Sequence, residues 1–70
     1  MMSYEDIAAN LVESGYRQRK NVSVWGTNPA VRRIRLVVMF RSATAISLSD
    51  SVRYIDKAIA TFYGTERVGD

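Results

Sequence analysis

A small α+β domain of order α-β-β-α is the fold class this chain predicts, and three observations predict it. Apolar residues recur at helical spacing near both ends, the stretch between them alternates with a period of two, and a Gly-Thr-Asn-Pro cluster divides that stretch. The expected architecture is one antiparallel β-hairpin with two helices laid on one of its faces, completed by dimerisation.

The first helix starts at Ser3. A serine followed three residues later by Asp6 resembles a capping box with Asp in place of Glu or Gln, and Glu5 and Asp6 place negative charge where the helix dipole favours it. Tyr4, Ile7, Ala8, Leu11 and Val12 form one apolar stripe, and Gly15 supplies a left-handed stop, with Tyr16 folding back on Leu11. A helix of about three turns is marginal alone, so the stripe must dock on something.

From Arg17 the period becomes two. Val22 and Val24 alternate with Asn21, Ser23 and Trp25, and residues 26–30 then supply the Gly, Asn and Pro of a turn. In residues 32–41, Ile34, Leu36, Val38 and Phe40 share one parity, opposite Arg33, Arg35, Val37, Met39 and Arg41. Pairing Val24 with Ile34 and Val22 with Leu36 puts both apolar sets on one face. The other face then carries Arg17, Arg19, Asn21, Ser23 and Trp25 beside Arg41, Met39, Val37, Arg35 and Arg33.

Ser47 with Asp50 repeats the Ser-x-x-Asp start. Leu48, Val52, Ile55, Ile59 and Phe62 make the stripe of a second helix, which Gly64 ends. Residues 1–64 thus read as one small domain, and residues 65–70 as a flexible C-terminal tail. The predicted core is Ile7, Leu11, Val22, Val24, Ile34, Leu36, Val38, Phe40, Leu48, Val52, Ile55, Ile59 and Phe62. A two-stranded sheet is weak by itself, so a homodimer is expected, formed by hairpins pairing edge to edge or by the second helices packing across a twofold axis.

Composition narrows the function. Seventy residues are near the lower limit for an independent apolar core. Without Cys or His there is no disulfide, thiolate nucleophile, histidine-based triad or common zinc site. The phosphate-binding and nucleophile-elbow motifs are absent, and Glu5, Asp6 and Asp50 fall in first helical turns where capping explains them. The expectation is a protein that is not an enzyme and takes no cofactor, metal or small-molecule substrate. No apolar run approaches a membrane span and no leader pattern opens the chain, so a soluble cytoplasmic protein without membrane contact is expected.

Charge carries the functional expectation. The net charge is +3, yet no acid lies within residues 17–41, which hold Arg17, Arg19, Lys20, Arg32, Arg33, Arg35 and Arg41, seven of the ten basic residues. A basic hairpin face of this kind suits a nucleic-acid-binding accessory or regulatory protein. Arginine pairs bidentately with phosphate, and Trp25 is placed to stack on a base. The alternative is a small inhibitor or adaptor that docks on an acidic surface of a larger protein, because Val37 and Met39 put apolar area amid the arginines; Tyr54 lies off its helix stripe and reads as partly buried or as a dimer contact. Each feature also has a plain explanation. Surface strands carry charge against aggregation, Arg17 to Lys20 complement a helix dipole, and Trp25 packs on neighbouring arginines or at an interface. An α-β-β-α order occurs in unrelated small proteins and assigns no function by itself.

Overall fold

A computed structural model describes residues 2–17 and 28–63, and these form three helices: α1, Tyr4–Arg17; α2, Pro29–Thr44; and α3, Leu48–Tyr63. Among the described residues there is no strand, which overturns the α+β assignment and its β-hairpin. The first predicted strand, from residue 18 onward, and Gly26 and Thr27 of its turn lie outside the described residues, as do Gly64 and the predicted tail at 65–70.

α1 begins as the sequence indicates, with the Asp6 N–H donating to Ser3 Oγ at 3.1 Å. Ala8, Val12, Gly15 and Tyr16 are buried, with Ile7 and Leu11 partly so. Gly15 is therefore not a stop. It lies inside the helix against the core, where its missing side chain permits close packing, and the helix runs on to Arg17.

α2 replaces the second predicted strand. Asn28 is extended at φ −80° and ψ 122°, and its Oδ1 accepts the Ala30 N–H at 2.8 Å, with Pro29 in the first turn. This is a helix start. The asparagine satisfies a donor left orphaned by the helix, and proline's fixed φ suits a position whose N–H has no partner. The burial pattern then settles the period. Leu36 and Phe40 are 0 % exposed, whereas Ile34 and Val38, of the same parity, are 59 % and 57 % exposed. Arg32, Leu36, Val37 and Phe40 face inward at helical intervals. The run Ile-Arg-Leu-Val-Val-Met-Phe satisfies both periods because Val37 and Met39 are apolar too, so alternation alone could not distinguish them.

α2 ends at a left-handed residue. Ala45 has φ 61° and ψ 14°, and its N–H donates to Arg41 O at 2.7 Å. Two residues later Ser47 caps α3, its Oγ accepting the Asp50 N–H at 3.1 Å, while the buried Ser51 hydroxyl returns a bond to Ser47 O at 2.8 Å. Ile55, Ala58 and Ile59 fill the core from α3; Leu48 and Phe62, predicted as core, stand exposed at the two ends of the helix.

Each helix packs on the other two. Phe40 lies at their junction, its ring centroid 6.4 Å from Tyr4 of α1 and 5.6 Å from Tyr54 of α3, with the two tyrosines 5.7 Å apart. Of the predicted core, Ile34, Val38, Leu48 and Phe62 are exposed and Val22 and Val24 lie outside the described residues. Among the described residues no helix is long and apolar enough to cross a membrane.

Two stability measurements check this arrangement. Leu36→Ala should cost about 2–5 kcal/mol in urea unfolding and Val38→Ala less than about 0.5 kcal/mol; equal costs would favour the strand. Ala45→Gly should stabilise by about 0.5–1 kcal/mol, because glycine takes φ 61° without the side-chain penalty, and an unchanged midpoint would refute that assignment.

Candidate functional site

The helical phase that buries Leu36 and Phe40 turns another set of side chains outward. Val31, Ile34 and Val38 recur at intervals of three and four along the outer face of α2, and all three are exposed. Met39 is exposed beside them, and at the corner between α2 and α3 a hollow is lined by Val38, Arg41, Ser42 and Leu48. α2 is therefore apolar on two sides, one buried and one open.

Arg35 and Arg41 flank the open side, both exposed. No acidic residue occurs in α2, and among the described residues no ion pair joins either arginine to a carboxylate. The face has an apolar centre and a basic margin.

The remaining basic residues do not gather there. Arg33 donates to both carboxylate oxygens of Asp56, at 2.6 and 2.9 Å, tying α2 to α3. The bond to Asp56 raises the Arg33 pKa above its ordinary value, opposed by a smaller effect of burial and reinforced by the carboxylate's charge. A raised value means that this contribution is present throughout the range below the usual arginine titration and is lost only as strong alkali reaches the folded value. Arg17 pairs with Glu13 at 2.9 Å. Arg32 is buried, its guanidinium carbon 4.6 Å from the Tyr16 ring centroid, a cation–π arrangement that accommodates the charge against α1. Arg19, Lys20 and Trp25 lie outside the described residues.

The basic hairpin face is thus replaced by a different grouping. Of the eight residues expected to contact nucleic acid or an acidic partner, Arg35 and Arg41 share the outer face of α2, while Arg17, Arg32 and Arg33 are engaged elsewhere. Val37, expected at an interface, is in the core; Met39 is exposed; and Tyr54 is half-buried in the aromatic junction with Phe40. Sequence reasoning missed Val31, Ile34 and Val38 as surface residues. The signal was Asn28-Pro29, a helix start that fixes residues 31, 34 and 38 on one side.

A second surface lies between α1 and α3, where Glu5, Asp6, Ala9, Tyr54, Ala58 and Thr61, with Lys57 and Phe62, line a groove. Lys57 Nζ is 4.0 Å from Glu5 Oε2. The rest of the α3 surface is mixed in charge, with Asp50 paired to Arg53 and Asp56 to Arg33. Among the described residues no group of three or more His, Cys, Asp or Glu is placed to hold a metal ion.

Among the described residues, fold and surface define three mutually packed helices, the second of which has one buried and one open apolar side. No family model matches the chain, and no curated protein or solved structure matches it either.

The Arg33–Asp56 bridge is two-thirds of the way to solvent at neither end, since each side chain is roughly four-tenths exposed, so its coupling should be modest. A double-mutant cycle of Arg33→Ala and Asp56→Ala, read by urea unfolding, should give about 0.5–1 kcal/mol of interaction. No coupling would show that the two bonds do not hold α2 to α3 in solution.

Proposed function

We propose that this chain is a protein-binding module of the adaptor or inhibitor kind, which lays the outer face of α2 on an apolar surface with acidic margins on a larger protein. The observation that carries the reading is the stripe of Val31, Ile34 and Val38 between Arg35 and Arg41 on a helix without a carboxylate. Magnitudes assign the roles. Covering the exposed halves of Ile34 and Val38 contributes roughly 1 kcal/mol each, whereas an exposed arginine pair contributes about 0–1 kcal/mol. The aliphatic stripe therefore supplies affinity, and the arginines supply approach, orientation and rejection of basic surfaces.

Nucleic-acid binding is the weaker reading on the same residues. A phosphate-binding surface gains from density of positive charge, but Arg17 and Arg33 are paired with carboxylates, Arg32 is buried, and aliphatic side chains occupy the middle of the α2 face. Of the described aromatic residues near α2, Tyr4 and Tyr54 pack on Phe40 and the buried Tyr16 lies under Arg32, rather than forming an open stacking platform.

One substitution separates the two readings by the sign of its effect. Ile34→Lys removes apolar area and adds a positive charge. In pull-downs from extract of the source cells, with and without nuclease treatment, it should lower recovery of the partner at least about tenfold in both, equivalent to about 1.4 kcal/mol. Recovery that is nuclease-sensitive and equal or greater with Ile34→Lys would reject protein docking and favour phosphate contacts.

A further inference from the structure

We infer that the outer face of α2 also pairs with the α1–α3 groove of a second copy of this chain, so that copies assemble head to tail and mask the docking face when concentrated. The inference rests on reading that face as a docking surface and adds its competing occupant.

Two surfaces of one molecule complement each other in shape and charge. The α2 face is a convex helix ridge carrying Val31, Ile34 and Val38, with Arg35 and Arg41 on its flanks. The groove is formed by two helices, its floor includes Ala9, Tyr54 and Ala58, and Glu5 and Asp6 lie on its rim. A helix ridge seated between two helices is the usual way a bundle accepts one more member. Lys57 is the one cation in the lining. It lies 4.0 Å from Glu5, which leaves Asp6 as the carboxylate open to an incoming arginine.

The topology excludes closure by a simple twofold. All groove-lining residues belong to α1 and α3, and each helix packs on both others, so the groove lies across the bundle from the open side of α2. Ridge and groove therefore point away from each other on one molecule, and their pairing is heterologous, continuing from copy to copy. The symmetric alternative, α2 against α2, would bring Arg35 and Arg41 of both copies into an interface to which α2 contributes no carboxylate. The charge distribution opposes that dimer and favours the head-to-tail contact.

Paired variants test the geometry. Val38→Lys blocks the ridge and leaves the groove; Thr61→Arg blocks the groove and leaves the ridge. Both positions are exposed, so helical circular dichroism should be retained. In sedimentation at low salt, wild-type mass should rise with protein concentration and fall back on adding salt. Each variant alone should remain a monomer, and an equimolar mixture should form a one-to-one pair that grows no further. A wild type that stays monomeric to millimolar concentration overturns the inference. So does assembly by Thr61→Arg alone, which indicates the symmetric α2 contact, assembly by both variants, or a mixture that stays monomeric. Loss of self-pairing with retained, Ile34-dependent partner recovery would remove this inference and leave the docking function standing. Self-pairing with no partner recovered would do the reverse.

Discussion

Phe40 is the side chain on which the arrangement turns, because it is the point where all three helices meet. Fully buried, its ring contacts Tyr4 from α1 and Tyr54 from α3, and those two tyrosines contact each other. Seating that ring fixes the rotation of α2 about its axis. Once Phe40 points inward, Leu36 and Val37 must follow it one turn earlier, and Ile34 and Val38 must point away. The exposed stripe is thus a geometric consequence of the core.

That constraint makes the surface unusual for so short a chain. A small domain ordinarily needs its aliphatic residues to cover itself. Here α2 spends Val31, Ile34 and Val38 on the outside, while the inside is completed by Tyr16, Arg32 and the tyrosines around Phe40. Arg32 illustrates the same allocation. Its guanidinium lies over the Tyr16 ring and the residue is buried, so a residue expected at the basic face helps close the core. Arg33 is likewise turned to hold Asp56 of α3. The two arginines left beside the stripe are those that the phase of α2 carries past both neighbouring helices.

How far the fold was legible follows from which signals were local. The starts of α1 and α3 were readable because Ser3 and Ser47 each bond the backbone N–H three residues on, and that chemistry depends on nothing distant. Their stripes were readable because one face is apolar and the other polar. α2 was not, because its two apolar sides leave little contrast between faces, so Ile34, Leu36, Val38 and Phe40 line up equally well as alternate positions on a strand. Asn28-Pro29 could have resolved the ambiguity, since the same residues that suit a turn also suit a helix cap and its first turn. The candidate site was legible only in composition. The absence of acids around the arginines was visible, but which arginines reach solvent depends on Asp56 and Tyr16, residues distant in sequence and adjacent only after folding.

The phase of α2 is the central claim, and single-cysteine accessibility tests it most directly because the chain has no cysteine of its own. Cysteines placed one at a time at positions 34 to 39 would be timed for reaction with a water-soluble thiol reagent under native conditions. The account predicts rapid reaction at 34, 35, 38 and 39 and strong protection at 36 and 37. Protection at 34, 36 and 38 with rapid reaction at 35, 37 and 39 would contradict it and restore a strand.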